Sequence, residues 1–139
     1  MANFYGNSIR TIDAKGRLIL PAKLRVEFGE SAFLTNSIDG CLALYDREAM
    51  EEQRAAMLQR LKGSQDDRMM ARVWAASTNE VTFDAQGRIA IPPPSRTWAG
   101  LGTDVVVIGL IDWVEIWDPP RWEEKAAAAN ERMLEGTSV

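Results

Sequence analysis

The chain has 139 residues, 46% of them hydrophobic, and a formal charge of −4. It contains no histidine and a single cysteine, Cys41, which excludes Ser-His-Asp and Cys-His catalysis, histidine-ligated metal and an intrachain disulfide. No apolar run approaches the ~20 residues that cross a bilayer, and Met1-Ala2-Asn3-Phe4-Tyr5 lacks the basic start and apolar stretch of a signal peptide, so a cytoplasmic protein with no membrane partner is expected.

In chain order, the first feature is Asp13-Ala14-Lys15-Gly16-Arg17-Leu18-Ile19-Leu20-Pro21. Asp at the first turn position can bind its own backbone two residues on, and Gly at the fourth suits the exit from a type I turn. A tight hairpin is predicted, with Asp13 and Gly16 as its structural residues and Arg17 opening the returning strand. Pro21, with its fixed φ, then starts a helix over Pro21 to Phe28, closed by Gly29. The strand Leu42-Ala43-Leu44-Tyr45-Asp46 precedes a helix from Arg47 to Lys62, with Asp46 as N-cap and Gly63 as stop. Met50, Met57, Leu58 and Leu61 form its apolar stripe, predicted to pack in the ordinary way. A helical stretch from Gln65 to Ala76 follows, with Ser64 and Asp67 spaced as a capping pair.

The opening unit then recurs as Asp84-Ala85-Gln86-Gly87-Arg88-Ile89-Ala90-Ile91-Pro92. Asp84, Gly87 and Arg88 repeat the structural roles of Asp13, Gly16 and Arg17. Pro92-Pro93-Pro94 open the matching helix, where the first N–H groups have no intrahelical partner in any case. Gly100-Leu101-Gly102 begins like a dinucleotide fingerprint but lacks the third glycine and precedes a strand pattern, so it reads as a turn. Val114-Glu115-Ile116-Trp117-Asp118 corresponds to Leu42–Asp46, and Pro119 to Glu135 is the last helix, capped by Asp118 and stopped at Gly136. The domain reading is a first repeat at 4–62, a helical connector at 63–79, a second repeat at 80–125, and a helix end with tail at 126–139. Each copy alone is small for an independent fold, so the two are expected to share a core.

Two Asp-x-x-x-Arg turns, each followed by an apolar triplet and a proline, together with Val114-Glu115-Ile116-Trp117, resemble the MraZ family of bacterial transcriptional regulators. The resemblance covers roughly residues 4 to 125. It implies an α+β fold of two interleaved AbrB/SpoVT-type swapped-hairpin repeats with short helices, assembled into an oligomeric ring. It also implies binding of double-stranded DNA at promoter repeats, control of the division and cell-wall gene cluster, and a nucleoid-associated location.

Charge distribution bears on where DNA would bind. The overall acidity opposes nucleic acid, since DNA-binding domains usually carry a basic stripe. Residues 1–25, however, hold Arg10, Lys15, Arg17, Lys23 and Arg25 against one acid, Asp13. The matching stretch of copy two keeps Arg88 and Arg96 but has Val81, Gln86 and Pro94 in place of Arg10, Lys15 and Lys23. The DNA-binding face is therefore assigned to copy one, with Arg17 reading a base and Lys15, Arg10, Lys23 and Arg25 holding phosphates.

Blander readings stand beside each of these. Arg17 and Arg88 can simply pair with Asp13 and Asp84 to brace the turns. Glu51-Glu52, Asp66-Asp67 and Glu123-Glu124 are sequence neighbours on helices, hence solvated surface and not acid/base pairs. The five tryptophans read as core and subunit-interface packing more readily than as base-stacking platforms, and Cys41 reads as a small core residue. No enzyme activity, metal or cofactor is predicted. Two other functions remain open: a partner-binding module of the antitoxin type, for which one repeat and a disordered tail would be expected, and a scaffold acting through the acidic, alanine-rich C-terminal helix.

Overall fold

The computed structural model describes residues 2–136, so tail positions 137–139 of the last predicted segment lie outside the described residues. Among the described residues, thirteen elements run as β1 (Asn7–Thr11), β2 (Arg17–Ile19), α1 (Ala22–Arg25), β3 (Ser31–Asn36), β4 (Leu42–Tyr45), α2 (Arg47–Arg60), α3 (Gln65–Ser77), β5 (Asn79–Thr82), β6 (Arg88–Ala90), α4 (Pro93–Ala99), β7 (Asp104–Leu110), β8 (Trp113–Trp117) and α5 (Pro119–Leu134). The protein is thus mixed α+β, with antiparallel strand pairing throughout these elements.

The strands form a six-stranded sheet, ordered β1-β7-β8-β4-β3-β5, and a two-stranded ribbon, β2-β6. Exchanging the copies maps this order onto itself: β1 lies on β7 of the second copy, while β5 lies on β3 of the first. At the centres of the two shared pairings, Leu18 faces Ile89 and Ala43 faces Glu115. This corrects the expectation of a hairpin in each copy. The turns form, but the strand leaving each turn pairs with its counterpart from the other copy and not with the strand that entered it. Crossing over in this way buries Leu18 and Ile89, both 0% exposed, and each such burial contributes roughly 1.5–3 kcal/mol. An isolated ribbon of this size would be marginal at best.

One core joins the copies. Leu18, Ile89, Leu24 and Ala99 from the ribbon layer meet Leu34, Leu44, Val105, Val107, Val114 and Ile116 from the sheet. Alternation explains the sheet's contribution: Ala32 and Leu34 point into this layer, and Val105 and Val107 do the same in β7. The opposite sheet face packs on the helices, with Ala43, Tyr45 and Trp113 around Ala49 of α2, and Val106, Ile108 and Trp117 against Trp122 of α5. Cys41 is fully buried, as its apolar strand context predicts.

Helix ends follow the local signals. Asp46 accepts from Ala49 N at 2.8 Å, Asp118 from Arg121 N at 3.3 Å, and Ser64 with Asp67 forms the reciprocal capping box. The helix predicted over Pro21 to Phe28 is shorter. α1 stops at Arg25, and Glu27 and Phe28 close with tighter i→i+3 bonds to Leu24 and Arg25 before Gly29 turns the chain at a φ of 73°. The α2 stripe also departs from ordinary packing. Met50 joins the sheet contacts, whereas Leu58 and Leu61 remain 43% and 46% exposed, because burial depends on what lies opposite and not on helical periodicity alone.

Candidate nucleic-acid interface

Both Asp-x-x-x-Arg turns adopt one geometry, set by the aspartate. In the first, Asp13 Oδ1 accepts from the backbone N–H of Lys15 and Arg17, each at 2.9 Å, and Oδ2 accepts Arg17 Nε at 2.9 Å. In the second, Asp84 Oδ1 accepts from Gln86 N and Arg88 N, and Oδ2 accepts Arg88 Nε at 2.8 Å. The turn glycines take φ of 79° at Gly16 and 77° at Gly87, a left-handed conformation open to glycine at little cost. The backbone N–H of Arg17 and Arg88 are the main reason the two carboxyls lie below the usual aspartate range; the guanidiniums add to the effect. The pairing role anticipated for both arginines is therefore present.

Pairing through Nε leaves each arginine's terminal Nη1 and Nη2 without a hydrogen bond among the described residues. Those are the atoms that fork toward guanine O6 and N7 or toward a phosphate. Strand alternation then sets their direction. Leu18 and Ile89 point into the core, so Arg17, Ile19, Arg88 and Ala90 share the outer face of the β2-β6 ribbon. Cross-copy pairing sets Arg17 opposite Ala90 and Arg88 opposite Ile19, and so brings the two arginines, far apart in sequence, onto one short surface.

The two turns differ in what covers them. Arg25, from α1 of copy one, lies over the turn of copy two, with Nε 2.8 Å from where a Cβ of Gly87 would stand and its ζ carbon 5.4 Å from the Phe83 ring centroid. Arg96, at the matching place in copy two, instead donates Nη2 to Gly102 O at 2.9 Å and leaves Gly16 uncovered. Gly87 is accordingly buried, while Lys15 and Gly16 form the more open turn.

The remaining candidates are spread out. Arg10 is exposed on the sheet-edge strand β1, opposite Val105. Lys23 reaches along Gly6, its Nζ 3.1 Å from a Cβ built there. Arg17 and Lys15 thus share a turn, Arg25 sits at the other turn, Arg10 lies on β1, and Lys23 reaches Gly6 just before that strand.

One buried acid, Glu115, lies outside the candidate site residues that the sequence singles out. On β8, Trp113, Glu115 and Trp117 alternate onto the helix-covered face; Glu115 is 7% exposed and accepts Trp117 Nε1 at 2.9 Å and Trp113 Nε1 at 3.3 Å. An acid two residues from a tryptophan on either side of a strand was the available signal. Among the described residues, no group of three or more Cys, Asp or Glu is placed to hold a metal ion, and no helix is long and apolar enough to cross a membrane.

A family model described as "MraZ protein, putative antitoxin-like" matches residues 4–73 and 75–136. The chain is similar to the transcriptional regulator MraZ of Nocardioides sp., with 41% identity over 136 residues, covering 96% of this chain and 92% of that protein. It is 39% identical over 127 residues to the transcriptional regulator MraZ of Acetivibrio thermocellus, covering 91% and 89%. The Thermomicrobium roseum protein of the same name is 38% identical over 136 residues, covering 98% and 94%.

Proposed function

The chain belongs to the MraZ family, and on that premise we propose that it is a transcription regulator that binds duplex DNA sequence-specifically through the β2-β6 ribbon. The observation that carries this reading is the outward face of that ribbon. Arg17 and Arg88 stand on it with their terminal nitrogens unengaged, and Arg17 belongs to the segment, residues 1–25, where basic residues outnumber acids. A two-stranded ribbon has the width to enter a major groove. Arg17 reads a base, and Lys15, Arg10 and Lys23 hold phosphates. Arg25 adds positive charge beside the second turn while its packing closes Gly87.

The finer architecture is proposed with it: two interleaved AbrB/SpoVT-type swapped-hairpin repeats, over 4–62 and 80–125, joined by the helical connector at 63–79. One protomer offers few basic contacts on a chain of net charge −4. Useful affinity then comes from several protomers in a ring gripping tandem promoter repeats at once. The proposed targets are promoters of the division and cell-wall gene cluster, with the protein in the cytoplasm at the nucleoid. The test is binding to DNA from upstream of the protein's own gene at several salt concentrations. Saturable binding that survives competitor DNA supports the proposal, and binding no tighter than to random sequence rejects it.

The antitoxin wording of the family description favours a second reading, in which the molecule binds a protein partner. Co-purification of one stoichiometric protein from its native host, with no preference among DNA sequences, would select that reading.

A further inference from the structure

A cavity of about 490 Å³ opens between α2, α3, the β3-β4 loop and the helix-covered sheet face. That size falls within the roughly 300–1,000 Å³ of small-molecule sites. Four aromatic rings line it, from Tyr45, Trp74, Trp98 and Trp113. Three of them are held in place: Trp98 Nε1 donates to Ser37 O at 3.0 Å, and the Tyr45 and Trp113 rings meet with centroids 5.6 Å apart at 59°.

The polar groups on its walls are not self-sufficient. Asn36 Oδ1 and Trp74 Nε1 are buried, and neither has a hydrogen-bond partner among the described residues. Leaving such an atom unpaired typically costs about 1–3 kcal/mol. Glu115 also lines the cavity, and the groups that meet its carboxyl, the Trp113 and Trp117 indoles and the Cys41 thiol, are all neutral donors. Asp39 adds a second carboxylate at the rim, while Arg60, on the same wall, is already engaged with Asp67 at 3.4 Å. The lining therefore offers acceptors and negative charge for a cation, ring faces to surround it, and one N–H in need of an acceptor.

We propose that this cavity binds a small organic ammonium carried on an aromatic body that also bears a hydroxyl or carbonyl oxygen. The ammonium lies toward Glu115 and Asn36 Oδ1, where aromatic faces within about 6 Å of a cation add attraction. The oxygen takes the Trp74 N–H, and the apolar body packs on Met57 and Val73. A free carboxylate in place of the ammonium meets Glu115 and Asp39 and is repelled, which gives the site its sign preference. This site is separate from the ribbon and does not rest on the DNA-binding reading.

Titration calorimetry of the full-length protein with tyramine, against 3-(4-hydroxyphenyl)propionate as a body-matched anion, tests it. Tyramine should bind saturably at one site per chain and the anion should not. Glu115→Gln should weaken tyramine binding by about tenfold or more. Because Glu115 is buried and its variant can lose structure, Val73→Trp provides the second arm: Val73 is 44% exposed, so a larger side chain there fills the cavity without entering the core. With circular dichroism unchanged, it should abolish binding. Failure of tyramine to bind, equal binding of the two compounds, or undiminished binding by Val73→Trp would each overturn the proposal. So would a Val73→Trp protein whose sedimentation changes while tyramine binding persists, since the cavity would then be an interface between copies.

Discussion

The guanidinium of Arg25 closes the turn of the opposite copy: a Cβ on Gly87 would stand 2.8 Å from its Nε and 2.9 Å from its Cδ. The equivalent position at Gly16 meets nothing nearer than Ile91 O at 3.6 Å. Both glycines hold a left-handed φ, where a side chain costs roughly 1–2 kcal/mol. Gly16→Ala should lose about that much in urea unfolding, and Gly87→Ala distinctly more, because Arg25 must also move. Equal losses would mean that Arg25 yields freely.

Arg17→Ala should weaken binding to a specific site by about 1–3 kcal/mol, the value of a bidentate guanine contact. Arg88→Ala should leave affinity nearly unchanged and mainly lower stability, since it braces the turn that Arg25 covers. The two arginines have matched pairing geometry, which makes the comparison direct. Equal binding defects in folded protein would show that the DNA face spans both copies.

Lys15 is exposed on the open turn, where a phosphate can reach it. Each phosphate contact adds a slope of about −0.9 in log affinity against log salt. Lys15→Ala should make that slope shallower by about one contact per engaged protomer without altering which sequence is preferred. An unchanged slope would place Lys15 away from the DNA backbone.

If copies present identical ribbons along an arc, their targets are direct repeats spaced near one helical turn, roughly 10 base pairs. Inserting about five base pairs between repeats should cut affinity sharply, and inserting about ten should partly restore it. A protein that binds one isolated site as tightly as an array would rule out the multivalent mechanism.

Acid should open the turns before it disrupts the core. The Asp13 and Asp84 carboxyls are lowered below their ordinary value of 3.8, first by the Arg17 and Arg88 backbone N–H. A lowered folded-state value means that each contribution is complete above the unfolded aspartate range and is lost as pH falls through the folded value. Amide protection at Arg17 and Arg88, taken relative to intrinsic exchange at each pH, should therefore fall as pH drops below the ordinary aspartate value of 3.8, and Asp13→Asn should abolish that response at Arg17 alone. Protection that does not change with pH at either position would show that the carboxylates do not hold the turns.

Features built from neighbours in sequence were legible without coordinates. Asp13 and Asp84 bind N–H groups two and four residues on, Asp46 and Asp118 cap three residues on, and Ser64 pairs with Asp67. These contacts need only the local backbone, so residue type and spacing suffice. The repeat likewise announced the two turns and the shared core, and the motifs carried the family.

Which strands meet was decided by the tertiary structure. The Asp13 turn looks the same whether β2 folds back on β1 or crosses to β6, and the choice rests on burying Leu18 against Ile89 within a core drawn from both copies. The same long-range register sets Arg17 and Arg88 on one face, carries Arg25 to Gly87, and leaves Leu58 exposed despite its helical stripe. It also puts Glu115 between two indoles beside a cavity. Local propensity acts over a few residues, whereas these placements depend on side chains tens of residues apart competing for the same buried volume.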